Sequence, residues 1–77
     1  MPAYPWAVAS LTRGQLAAVA AHVQYGTGKE AAHALGVSPR TLEGHLYHAR
    51  VRLHCDTTEQ LAVLLAQRGE LRVEGRE

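Results

Sequence analysis

The stretch Ser38–His54, reading S-P-R-T-L-E-G-H-L-Y-H-A-R-V-R-L-H, restricts the fold more than any other part of the chain. Ser38 can accept from the first free amides of a helix. Pro39 fits the first helical position, because its missing N–H would have had no partner there. Leu42, Leu46, Ala49 and Leu53 then recur at helical spacing and draw one apolar stripe. At about 100° per residue, Arg40, Glu43, Gly44, Tyr47 and Val51 point the opposite way. Thr41, His48 and Arg52 run along one flank of the stripe, and Arg50 along the other. Such a helix must bury one side on other elements and leave an irregular, polar side to meet something else.

The residues before it supply part of what it packs on. Thr12 opens T-R-G-Q, a capping box in which Gln15 reaches back. Leu16, Val19, Ala20 and Val23 follow at i, i+3, i+4 and i+7, and Gly26 can end the helix in a left-handed cap. Thr27 opens a second box, T-G-K-E, with Glu30 as its partner. Ala31, Ala32 and Leu35 form the inner side of a short helix that Gly36 terminates, and Val37 fills the angle before Ser38. A short helix, a tight glycine turn and a capped second helix are the signature of a helix-turn-helix. Beyond Cys55, Asp56 can cap a further helix with Glu59 three residues on, and Gly69 can close it. Leu61, Leu64, Leu65 and Arg68 recur there at helical spacing, and Ala62, Val63 and Ala66 widen the apolar surface. An apolar strip of that width calls for a partner, so Leu61, Leu64, Leu65 and Arg68 are candidates for a dimer seam.

These signals predict an all-α, four-helix domain over 11–69, with helices at about 12–25, 28–35, 39–54 and 57–68. Residues 1–10, M-P-A-Y-P-W-A-V-A-S, read as an extended arm because they hold two prolines and no charged side chain. Tyr4 and Trp6 are its anchors. Residues 70–77 read as a charged, frayed tail.

At 77 residues the chain is one small domain, and a domain of this size buries only about 60% of its unfolded surface. Phe is absent and aromatic residues are few. Ala, Leu and Val must therefore form the core, which favours close helix packing over a roomy cavity. No Ser-His-Asp or paired-carboxylate arrangement is suggested, so the expectation is a protein that is not an enzyme and needs no cofactor. The single cysteine, Cys55, excludes an internal disulfide and fits a reducing cytoplasm. No apolar run approaches the roughly 20 residues of a membrane span, which predicts a soluble chain.

Net charge is only +1 but unevenly spread. Residues 1–28 carry Arg13 alone. Residues 29–54 carry Lys29, Arg40, Arg50 and Arg52 against Glu30 and Glu43, a net of +2. Residues 56–77 carry Arg68, Arg72 and Arg76 against Asp56, Glu59, Glu70, Glu74 and Glu77, a net of −2. A basic centre and an acidic end have the polarity of a DNA-facing core with a DNA-averse tail.

From Leu11 to Leu53 the sequence resembles the LuxR-type (GerE-like) DNA-binding domain of bacterial transcription regulators. The residues that carry the likeness are Leu11-Thr12, Lys29-Glu30, Ala32, Leu35, Val37-Ser38, Arg40-Thr41-Leu42, His45 and Arg52-Leu53. The later ones correspond to the family's S-x-x-T-V-x-x-H…K-L string. The resemblance implies that the third helix enters the major groove, the second crosses the backbone, and the fourth pairs two domains on a two-fold site. The chain departs from the pattern in four places. Gly14-Gln15 stands where Arg-Glu is usual, Gly26 comes one place late, Ala49 replaces a bulky aliphatic, and Glu43-Gly44 occupies a base-facing position that is often Lys.

Glu43, Gly44 and Tyr47 are accordingly the candidates for reading bases. Glu accepts from the cytosine N4 amino group, Tyr meets a thymine methyl, and Gly permits close approach. Lys29, Ser38, Arg40, Thr41, His48, Arg50 and Arg52 are the candidates for phosphate contact. His45 should tuck beneath the third helix and orient its start. His45, His48 and His54 lack the cysteine or carboxylate partners of a zinc site, so no metal is expected. The expected partners are double-stranded DNA and a second copy, with RNA polymerase or another regulator in addition and no membrane. With no residues left for a sensor module, a stand-alone form is expected. The competing readings are a helix-turn-helix adaptor docking on RNA polymerase or a sigma factor, favoured by the low net charge and Glu43, and a likeness to the promoter-reading end of a sigma factor.

Overall fold

The computed structural model describes residues 11–71. The expected arm over 1–10, with Tyr4 and Trp6, and the tail over 72–77 lie outside the described residues. Among the described residues there are four helices and no strand: α1 (Arg13–Tyr25), α2 (Gly28–Leu35), α3 (Pro39–Leu53) and α4 (Thr58–Gln67). The all-α, four-helix architecture is therefore as the sequence predicts. None of these helices is long and apolar enough to cross a membrane.

Each helix starts where a hydroxyl can accept from the third amide of its first turn. Thr12 Oγ1 accepts from Gln15 N at 3.1 Å, and Gln15 Oε1 accepts from Thr12 N at 3.1 Å, which completes the box. Thr27 Oγ1 accepts from Glu30 N at 3.2 Å, forming only the forward half of the second box. Ser38 Oγ accepts from Thr41 N at 3.0 Å, with Pro39 at the first helical position. Glycine ends the first two helices in the left-handed region, Gly26 at φ 83° and Gly36 at φ 72°. After Gly36 the Val37 amide donates to Ala32 O at 3.0 Å, the closing bond of a Schellman turn.

α1 packs on all three other helices, α2 packs on α3, and α4 lies on α1 and α3. The core joins Leu11, Ala18, Val19 and Ala21 to Ala31 and Ala32, to Leu42, Leu46, Ala49 and Leu53, and to Leu61 and Leu65. All four stripe residues of α3 are buried, as their spacing predicts.

Three features differ from the sequence reading. First, α4 is capped by Thr57 rather than Asp56, since Thr57 Oγ1 accepts from Gln60 N at 3.0 Å. Gln60 Oε1 in turn accepts from the amide of Asp56, the residue before the cap, at 2.8 Å, and Glu59 is not the cap's partner. Second, α3 stops at Leu53, because His54 adopts φ 59°, ψ 42° and Cys55 N closes the turn on Arg50 O at 2.8 Å. His54 does the work usually given to glycine. Third, core packing runs past residue 70, where the sequence reading starts the frayed tail. Leu71 is buried in the core, and Glu70 N donates to Leu65 O across the left-handed Gly69.

Cys55 is half-buried against the core, and burial first, then the neighbouring Asp56 carboxylate, pushes its thiol above the ordinary range. Three outcomes follow from these local assignments. Thr57→Ala should cost about 1 kcal/mol of stability, while Asp56→Ala should cost much less; equal losses in denaturant melts would contradict the Thr57 cap. His54→Gly should gain about 1 kcal/mol by relieving the left-handed backbone, a rise of roughly 4–8 °C in melting temperature. An unchanged melt would show that the turn is not under strain. At pH 8.5, near the ordinary thiol value of about 8.5, Cys55 should react with iodoacetamide more slowly than a free small-molecule thiol. A matching rate would mean that the thiol is not shielded.

Candidate nucleic-acid interface

The site is built on α3 by elimination. With Leu42, Leu46, Ala49 and Leu53 turned inward, the helix has one direction left for its remaining side chains. Arg40, Glu43, Tyr47 and Val51 are exposed, and Gly44 lies among them half-exposed. Tyr47 and Val51 are each 55% exposed, so no part of the described chain covers this side. A methyl group added at Gly44 would meet nothing within 4 Å, so the glycine serves no packing purpose inside the domain.

The N-terminal turn of α3 is equally open. Ser38 Oγ donates to Thr41 Oγ1 at 3.0 Å while it caps, so the two hydroxyls are tied together at the exposed helix entrance. Lys29 is exposed on the first turn of α2, and Arg40, His48 and Arg52 are exposed on α3. Of the residues expected to touch phosphate, the structure thus leaves Lys29, Ser38, Arg40, Thr41, His48 and Arg52 open to a ligand. Arg50 is different. It is half-buried, its Nη1 donates to Thr58 Oγ1 at 3.1 Å, and its guanidinium carbon stands 6.0 Å from the centroid of the Tyr47 ring. Tyr47 also neighbours the His48 ring, with centroids 5.6 Å apart and planes tilted by 58°.

Glu43 does not simply radiate outward. A methyl group added at Gly28 would stand 3.8 Å from Leu42 Cδ2 and 3.9 Å from Glu43 Oε2, so the carboxylate leans toward the first turn of α2. The amides and dipole of that turn favour a negative group. The Glu43 carboxylate therefore lies beside the turn of α2 that carries Lys29.

His45 is half-buried as expected, and the structure adds its seat. A methyl group at Gly14 would lie 3.3 Å from His45 Cε1 and 3.5 Å from Nε2. Gly14 therefore gives the imidazole room against α1, in the place where the LuxR-type pattern has a charged pair. Sequence alone hid this contact, because the two residues are 31 positions apart and nothing in either segment points to the other.

The dimer seam expected on α4 requires correction. Leu61 and Leu65 are fully buried in their own domain and cannot meet a second copy. Leu64 is half-buried on the core, and Arg68 is half-buried with an ion pair from Nη2 to Glu70 Oε2 at 2.7 Å. The outward side of α4 is instead Glu59, Gln60, Val63, Ala66 and Gln67, with Val63 56% exposed at its centre. Among the described residues no group of three His, Cys, Asp or Glu side chains is placed to hold a metal ion.

Compared with protein-family models and with curated protein sequences, the chain matches none.

Proposed function

We propose that the chain is a sequence-specific DNA-binding transcription regulator of the bacterial cytoplasm that lays α3 in the major groove. The observation that carries this reading is the uncovered outer face of α3. Glu43, Gly44 and Tyr47 stand together in the N-terminal half of α3, the part of a recognition helix that reaches base edges. Lys29, Arg40 and Arg52 stand exposed around them and supply the sequence-independent attraction to phosphate. The LuxR-type resemblance supports the same docking. Pairing of two copies belongs to this reading too, through the outward side of α4 around Val63.

A second reading is favoured by Glu43 itself. A carboxylate at the centre of the reading face repels phosphate, and Tyr47 and Val51 offer apolar area that suits a protein partner. On that reading the domain is an adaptor docking on RNA polymerase or a sigma factor.

Salt separates the two. For a duplex selected from a random pool, log affinity should fall against log salt with a slope of about −0.9 for each phosphate neutralised. Adaptor binding should be nearly flat. Arg52→Ala should weaken binding to every duplex and lower the slope by about 1, whereas Glu43→Ala should chiefly change which base is preferred at one position. If neither substitution alters DNA binding, the assigned face is wrong. Gly44→Ala offers a sharper contrast. It should raise stability by about 1 kcal/mol, because the added methyl meets nothing, yet weaken DNA binding by crowding the groove. A variant that is both more stable and equally tight would show that α3 does not come close to a duplex at this position.

A further inference from the structure

We infer that Arg50 is a positioning residue that makes the reading face of α3 depend on how α4 is seated. The inference rests on the DNA reading above and assigns Arg50 a role other than phosphate contact. Three observations carry it. Arg50 is half-buried, unlike the exposed Arg40 and Arg52 of the same helix. Its Nη1 donates to Thr58 Oγ1 at 3.1 Å, and Thr58 is the buried first residue of α4. Its guanidinium carbon also lies 6.0 Å from the ring centroid of Tyr47, at the outer edge of cation–π range.

One rigid plane thus has α4 at one end and a base-reading ring at the other. Tyr47 is 55% exposed, so little else restrains it; its ring neighbours are the His48 ring at 5.6 Å and the Arg50 guanidinium at 6.0 Å. The planar guanidinium fits this task because it can hydrogen-bond at its edge while presenting a face or corner to an aromatic ring. Lysine carries the same charge without the plane. Only His54 to Thr57 separates α3 from α4, so a shift of α4 as its outer side meets a partner is delivered close to Thr58. Arg50 passes that shift to Tyr47.

The test uses the full chain and four variants: Arg50→Ala, Arg50→Lys, Thr58→Val and Thr58→Ser. The readout is the ratio of affinity for the selected duplex to affinity for an unrelated one, across a salt series well below the melting temperature. Thr58→Val removes only the acceptor and lies on the α4 side, away from the reading face. It should lower the ratio roughly tenfold, as Arg50→Ala does, and the double variant should be no worse than either single one. Thr58→Ser keeps the hydroxyl and should restore the wild-type ratio, whereas Arg50→Lys should not. The salt slope should stay constant throughout. A slope reduced by about 1 in Arg50→Ala, with Thr58→Val harmless, would make Arg50 a phosphate ligand and overturn the inference. Lower melting temperatures with an unchanged ratio would reduce the contact to a structural tie and overturn it equally. If the wild-type chain binds no duplex, the DNA reading itself fails. The link is then judged on the Tyr47 ring resonances of the free protein, which must shift alike in Arg50→Ala and Thr58→Val and stay put in Thr58→Ser.

Discussion

Leu42 and Leu46 share one core with Val19 of α1 and with Leu61 and Leu65 of α4, and together they decide which way α3 faces. Burying a leucine fully contributes about 1.5–3 kcal/mol, against a total stability of about 5–15 kcal/mol for a domain. Turning α3 by one residue, about 100°, would bring Thr41 or Glu43 inward and expose a leucine in exchange. No preference of the outer side chains can offset that cost. The orientation of Glu43, Gly44 and Tyr47 is therefore a consequence of packing on the opposite side of the helix.

The core that enforces this is built largely from alanine and leucine. Ala18, Ala21, Ala31, Ala32 and Ala49 are all buried, and they let the helices approach closely. Tyr25 and Tyr47 are both exposed and so take no part in the core. Gly14 extends the same economy of size by admitting the His45 ring against α1. A small-residue core leaves each helix little room to slide, which fixes where Glu43, Gly44 and Tyr47 stand.

Local chemistry was the legible part of the sequence. The stripe of α3, the hydroxyl caps at Thr12, Thr27 and Ser38 and the left-handed glycines at Gly26 and Gly36 each involve residues within one or two turns, and the pattern alone locates them. Errors arose where the pattern is degenerate. In D-T-T-E-Q, Asp56 and Thr57 offer overlapping boxes, and the choice depends on where the turn through His54 and Cys55 delivers the chain. α4 is apolar around much of its surface, so periodicity could not say that Leu61 and Leu65 face inward and Val63 outward. Arg50 reads from the sequence as one more cation on a flank. Its bond to Thr58 is a tertiary fact that no spacing rule within α3 contains.

On the proposed DNA reading, Glu43 would serve a reading helix by filtering rather than by adding affinity. At physiological salt the screening length is about 8 Å, so on the proposed reading Lys29, Arg40 and Arg52 would act on the phosphates nearest them rather than as one basic field. The small net charge of the chain does not set local attraction. Glu43 leans on the first turn of α2, where amides and dipole favour negative charge. A phosphate drawn to that turn must come up against the carboxylate. On the proposed reading, a cytosine amino group within reach gives Glu43 a donor in the groove, and the two negative groups separate. Guanine and thymine, which show no amino donor in the major groove, leave Glu43 near the phosphate, and the repulsion stands. Discrimination then comes from penalising wrong sequences, and it works only while packing holds α3 at a fixed distance from the duplex.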